Sequence, residues 1–262
     1  MSVMKKLFLA FLILLSCPFL IHTQAMNSGS AKTLEGNIFI LTCFTSVTRV
    51  WDDEWSGPLP YEAKVARLHY KDLALDWLKK QALKYNITIN FTEEIIGLDK
   101  DIIYEQEGFG GGGSKYNGLL SKLGYNNQEA FYNYVKKNTN CDNFLILQFT
   151  STYVFGKDGL AYTQNNANDT EFFLEGALLF ILVNDYYAIA HEILHCFGAW
   201  DLYNEVNKTA GAKLVINRFP YTIMDMVRIG NTSPPIIDPL TAWRIGWNKN
   251  PESWFYDCDP HK

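Results

Sequence analysis

The chain lacks an apolar run long enough to cross a bilayer: its longest, residues 7–21, holds about 15 residues where a membrane helix needs about 20. It also lacks a basic excess, since 23 Lys and Arg stand against 28 Asp and Glu, a formal charge of −5 that argues against a nucleic-acid partner. No internal repeat is evident. The glycine run Gly108-Phe109-Gly110-Gly111-Gly112-Gly113 is followed by Ser114-Lys115, the reverse of the Lys-Ser or Lys-Thr order that a phosphate-binding loop requires, so it reads as a surface loop. What is present is apolar mass: 48% hydrophobic and 15% aromatic content in 262 residues, enough to bury a sizeable core.

The N-terminus opens with Lys5 and Lys6, continues through the apolar run and ends in His22-Thr23-Gln24-Ala25. This is the order of a secretory signal cleaved near Ala25. Cleavage removes Lys5 and Lys6 and takes the formal charge to −7. Two other readings stay open: a membrane anchor, and a lipoprotein leader held through Cys17, although the apolar run continues past that cysteine. The remaining four cysteines, Cys43, Cys141, Cys196 and Cys258, suit two disulfides in an oxidising compartment. Of three pairings we expect Cys43 with Cys141 and Cys196 with Cys258; buried free thiols are the alternative. Asn86, Asn90, Asn168, Asn207 and Asn231 each begin a glycosylation acceptor tripeptide.

Along the mature chain, Ile38-Phe39-Ile40-Leu41 reads as a buried strand and residues 61–85 carry apolar positions at helical spacing. Residues 87–91 alternate as a second strand, 129–137 suit a helix, and 144–149 form a third strand. Residues 151–162 and 177–183 add strands, one of them a candidate antiparallel edge. Strands alternating with helices predict a sheet containing parallel strands, and the expected fold class is α+β. A helix from Asp185 should stop near Gly198, where glycine can take a left-handed conformation. Beyond it, Pro220, Pro234, Pro235, Pro239, Pro251 and Pro260 predict an irregular lobe with one short helix over residues 238–245. The boundaries are thus a signal over 1–25 and one domain over 26–262, with lobes 26–198 and 199–262 and a cleft between them.

The helix from Asp185 carries the chemistry. His191-Glu192-Ile193-Leu194-His195 sets two imidazoles four residues apart, on one helix face, with a carboxylate beside them. With five histidines in the chain, shuffled residues would yield this pattern about once in 200 sequences. Gly198 and Asp201 lower that chance further, because a glycine turn can carry Asp201 back to the histidines as a third ligand. Imidazole and carboxylate suit one Zn2+ with a position left for water, although ligand type alone leaves iron, cobalt and manganese open. In that setting Glu192 is the expected general base. Cys196 points about 100° away from His195 on the helix and should not share the metal. Glu205 lies too close in sequence to be a rival ligand from a later helix. Asp52-Asp53-Glu54 reads as a solvated loop, with calcium binding as the lesser alternative.

His-Glu-x-x-His-x-x-Gly-x-x-Asp, followed by Tyr221-Thr222-Ile223-Met224-Asp225, resembles the metzincin zinc endopeptidases, with Met224 at the position of their Met-turn. The aspartate version resembles the snapalysin branch and the secreted immune-inhibitor-A type. Residues 238–247 are similar to a segment ending in Leu-Gly-Trp in the latter. The resemblance covers roughly residues 186–247. It implies a mixed twisted sheet with the active-site helix in the N-terminal lobe, a secreted zinc metalloendopeptidase, and protein or peptide substrates. Many members place a tyrosine two residues after the Met; this chain has Met226 there, which leaves Tyr221 or Tyr203 as candidate oxyanion donors. Histidine ligands and an aspartate that reduces the site's positive charge predict a neutral or slightly alkaline optimum. The competing reading is a catalytically silent binding or adhesion protein on the same scaffold, secreted or lipid-anchored; retention of Glu192 favours the enzyme.

Overall fold

The structure, a computed structural model, describes residues 29–47, 57–104, 116–151, 159–162, 174–180, 185–203, 207–225 and 233–259. The expected signal over 1–25 with Cys17, the 52–54 acidic cluster, the glycine loop 108–115, Asn168, Glu205, Met226 and Asn231 lie outside the described residues.

Six strands form one sheet: β1 (Gly36–Val47), β2 (Ile89–Ile96), β3 (Ile102–Tyr104), β4 (Asn143–Thr150), β5 (Gly159–Tyr162) and β6 (Gly176–Leu179). The order is β2-β1-β4-β6-β5, with β3 continuing the β2 side of β1. All pairings are parallel except β5 with β6. Mixed α and β structure around a mostly parallel sheet agrees with the class expected from the alternation of elements. Parallel strands need both faces covered, and β4 meets that demand with a side chain buried at every position from Asn143 to Thr150.

Pleating sends alternate residues of β1 and β4 into two cores. Ile38, Ile40 and Phe44 of β1 join Leu145, Leu147 and Phe149 of β4 beneath helices α1 (Tyr61–Leu83) and α4 (Tyr186–Cys196). Phe39, Leu41 and Cys43 join Phe144 and Ile146 beneath α2 (Asn117–Lys122) and α3 (Gln128–Asn138). The first core continues into the C-terminal region through Ile223, Met224, Trp243 and Phe255. That region holds α5 (Ala210–Arg218), α6 (Pro239–Arg244) and a 3-10 turn, Ser253–Cys258.

Local chemistry explains where elements differ from expectation. The second strand starts at Ile89 rather than 87, because Asn86 takes a left-handed turn (φ 59°) and the Tyr85 and Ile87 amides both bond Ala82 O at the end of α1. Helix α1 turns Lys64 and Lys71 inward. Lys64 Nζ bonds Gly97 O (2.7 Å), Leu98 O (2.8 Å) and the Asp101 carboxylate (2.5 Å), while Lys71 pairs with Glu93. Elements β3, α2, α5 and the 3-10 turn have no counterpart in the sequence reading, being short and set by packing partners far along the chain.

The expected disulfides are corrected: Cys43, Cys141, Cys196 and Cys258 are all buried free thiols. Each has a local partner in place of another sulfur. Cys196 donates to Glu192 O (3.3 Å) and Cys258 to Trp254 O (3.5 Å), Thr139 Oγ1 donates to Cys141 (3.1 Å), and the Cys43 thiol faces Leu41 O at 4.0 Å. Burial raises the Cys43 and Cys196 thiols far above their ordinary value and Cys258 to about 12, so they pack as small apolar groups. Among the acceptor tripeptides, Asn86 and Asn90 are exposed, whereas Asn207 is fully buried and donates to Cys258 O (3.1 Å).

Asp238 organises the C-terminal region from a fully buried position. Its Oδ1 caps α6 by accepting from the Leu240 (2.9 Å) and Thr241 (3.0 Å) amides, ahead of a helix that begins with Pro239. Its Oδ2 accepts from the Thr222 and Thr241 hydroxyls, both at 2.5 Å, which ties α6 to the segment ending in Met224. Asp238→Ala removes the cap and leaves two buried hydroxyls short of an acceptor, so urea unfolding should show a loss of about 2–4 kcal/mol.

Candidate metal centre

Helix α4 is capped by Asp185, whose carboxylate accepts the Tyr187 amide (2.9 Å), and it ends at Gly198 in the left-handed conformation (φ 93°). The Gly198 amide bonds His195 O (2.8 Å) and the Ala199 amide bonds Leu194 O (3.1 Å), the paired bonds of a Schellman turn. A side chain at 198 would be strained in this conformation. The turn reverses the chain so that Asp201 meets His191 and His195.

Two backbone carbonyls set the imidazoles. His191 Nδ1 lies 3.1 Å from Ile223 O and His195 Nδ1 lies 2.9 Å from Ala199 O. A carbonyl can only accept, so each Nδ1 carries the proton and, in the neutral ring, each Nε2 presents a bare lone pair. Those lone pairs converge: His191 Nε2 is 3.0 Å from His195 Nε2, and Asp201 Oδ1 is 3.1 Å from His195 Nε2 and 3.3 Å from His191 Nε2. Three acceptors facing one another repel unless a cation stands among them. Ligands of a tetrahedral zinc with bonds of about 2.0–2.1 Å stand about 3.3 Å apart, so donor set and spacing both fit a single zinc ion. Among the described residues, this is the one group of three or more His, Cys, Asp or Glu side chains arranged to hold a metal.

Without metal, protons take the cation's place. Burial alone lowers the His195 pKa, but the hydrogen bond and charge of Asp201, with the nearby Glu192 charge, outweigh it and raise the group to about 9. For Asp201, burial acts upward and is overcome by hydrogen bonds from His191 and His195, which hold the carboxyl well below the usual range.

The neighbouring residues hold this triangle. Tyr203 donates to Asp201 Oδ2 (3.0 Å), leaving Oδ1 for the site, so Tyr203 is placed on a candidate ligand. Tyr221 is 44% exposed, and its backbone carbonyl accepts the Ile236 amide (2.9 Å). Met224 is fully buried in the core, and its carbonyl accepts the Leu202 amide (2.9 Å) next to Asp201. Glu192 is almost wholly buried beside His191. Cys196 is turned away into its own bond with Glu192 O.

Arg244 is a contributor that the sequence did not reveal. Its Nε donates to Gly198 O (2.8 Å), and its guanidinium lies 4.0 Å from the centre of the Trp200 ring. Both contacts fall on the turn between His195 and Asp201. They also flank Ala199, whose carbonyl orients His195. Only long-range packing brings α6 here, so no local signal could have announced it.

Comparison with family models, with curated proteins and with solved structures finds no match to this chain.

Two outcomes follow from this geometry. Arg244→Ala should weaken zinc binding about 10–100-fold, read by competition with a chromophoric chelator, while far-UV circular dichroism stays that of the parent. In the metal-free protein, His195 has a folded pKa raised from its ordinary value to about 9. Its stabilising share is therefore complete below about 6.5 and is lost as pH rises through about 9. Asp201 has the opposite sign: its share is present above the ordinary carboxylate range and disappears only in strong acid. Melting of metal-stripped protein should fall across pH 6.5–9, and His195→Gln should flatten that slope; an unchanged slope in the variant would count against the assignment.

Proposed function

We propose that the chain is a secreted zinc metalloendopeptidase of the metzincin type, cutting peptide bonds in protein or peptide substrates. The observation that carries this reading is the convergence of His191, His195 and Asp201, with their proton-bearing nitrogens turned away to carbonyls. The His-Glu-x-x-His-x-x-Gly-x-x-Asp pattern and the buried Met224 below it support the metzincin assignment within the α+β class.

His191 Nε2, His195 Nε2 and Asp201 Oδ1 would hold the ion. When bound, zinc supplies Lewis acidity, lowering the pKa of water and polarising a carbonyl. Glu192, one position along the helix from His191, takes the proton from water as the oxygen attacks the peptide carbonyl carbon. It then delivers that proton to the amide nitrogen as the C–N bond breaks. Its near-complete burial keeps bulk water from competing for that proton. Strand β5 favours a peptide substrate: among the described residues it lies at the end of the sheet beside β6 with no further strand paired to it, an edge that an extended peptide could join.

Glu192→Ala tests the reading directly. Hydrolysis of a quenched peptide library should fall at least about 100-fold while zinc content stays at the parental level, and a chelator should abolish parental cleavage reversibly. Full cleavage by Glu192→Ala would reject the mechanism. Zinc binding by the parent without cleavage of any peptide would instead identify a binding protein on the same scaffold.

A further inference from the structure

Glu175 is a buried carboxylate that the metal chemistry does not use. It stands just before β6 with no exposed surface, and burial raises its pKa to about 7 against the pull of hydrogen bonds from Ala31 and Ser30. Its Oε2 accepts the Ala31 amide (2.7 Å) and the Ser30 hydroxyl (2.9 Å), and Ser30 Oγ accepts the Glu175 amide in return (2.9 Å). Oε1 is buried too, and among the described residues no hydrogen-bond partner reaches it. A carboxylate sealed from water is costly unless it takes up a proton or a cation completes it.

The chain itself lies against that oxygen. Gly29 is buried on the Glu175 carboxylate so closely that a Cβ there would stand 2.5 Å from Glu175 Cδ and would have to displace that carboxylate. The backbone nitrogen of Gly29 is two bonds from that Cβ position. In a continuous chain this nitrogen is a neutral amide with one hydrogen. At a chain start it is an ammonium with three donors and a full positive charge, the complement that Oε1 lacks.

We propose that Glu175 is a binding site for an α-ammonium group, that of Gly29 in a chain cut between Ser28 and Gly29. The cut is a hydrolysis: water's oxygen goes to the Ser28 carbonyl as the C–N bond breaks, and the Gly29 nitrogen takes up protons to become the ammonium. Met26, Asn27 and Ser28 are thereby removed beyond a leader cleaved near Ala25. Ser30 and Ala31, already bonded to Oε2, hold the new terminus in register with Oε1. The ion pair locks the first described residues onto the base of β6, a role independent of metal at His191, His195 and Asp201.

The test uses one preparation of the mature chain behind a cleavable extension, whose site-specific protease cuts immediately before Gly29. Melting is followed in chelator before and after the cut. The midpoint should rise by about 5 °C on cutting. The rise should vanish in Glu175→Gln, and also in a Gly29-start chain whose terminus is acetylated. A second readout avoids any folding defect of the variant: at neutral pH the paired α-amine should react with an acylating reagent at least about 10-fold more slowly than the α-amine of a Met26-start chain. Equal midpoints before and after cutting, or equal acylation rates, would overturn the proposal. A rise that persists in Glu175→Gln would overturn it as well. Because both readouts are taken without zinc, they stand apart from any failure of the peptidase reading.

Discussion

The carbonyls of Ile223 and Ala199 decide which nitrogen each imidazole turns to the site, and the candidate metal centre depends on that decision. Had either ring donated through Nε2, one of the three candidate ligands would have pointed a proton into the site. The helix supplies only the spacing of the two histidines; the tautomers come from outside it. One carbonyl belongs to the turn at Gly198, the other to the segment that ends in Met224. This gives Met224 a physical role without any contact to metal: buried in the core, it anchors the strand of chain whose preceding carbonyl orients His191.

The same logic explains the buried polar groups around the site. Asp238 joins α6 to Thr222, and Thr222 sits one residue before the carbonyl used by His191. Arg244, at the other end of α6, grips Gly198 O, one residue before the carbonyl used by His195. A helix of six residues therefore holds the residue before each orienting carbonyl, one through its cap and one through its last side chain. Buried hydrogen-bond networks of this kind rigidify what they touch, and a metal site needs its ligands held before an ion arrives.

How much of this was legible in the sequence follows from the range over which each signal acts. The strand at Ile38 to Leu41, the 61–85 helical spacing and the mostly apolar β4 are local patterns, and so is the helix stop at Gly198. Lys64 and Lys71 were not legible as inward residues, because their partners, Asp101 and Glu93, come from the loop after β2 and from β2 itself, both later in the chain than α1. The cysteines misled for a different reason: an even count carries no geometry, and each thiol found a nearby backbone or hydroxyl partner instead. Their number consequently lends no support to an oxidising compartment. His191, His195 and Asp201 could be read from spacing because one helix and one glycine turn place all three. Arg244 and Asp238 act across the fold, and nothing in their immediate neighbours marks that reach.

The first described residues form a strap between the sheet and this machinery. At one end Ser30 and Ala31 are bonded to Glu175 at the base of β6. At the other, the Leu34 amide bonds Ile245 O (3.0 Å) and Leu34 O accepts the Trp247 indole N–H (2.6 Å), while Gly246 turns left-handed (φ 91°) against Thr33. Ile245 directly follows Arg244, so the strap ends one residue from the side chain that grips the Gly198 turn. A strap held at both ends limits how far α6 can drift from the sheet, and hence how far Arg244 can withdraw from Gly198. Strengthening its first anchor through a charged terminus at Gly29 would restrain α6 without adding a contact at the candidate ligands. The two buried carboxylates then act on one task from opposite sides: Asp238 fixes the start of α6 to the Met224 segment, and Glu175, through the strap, fixes its end to the sheet.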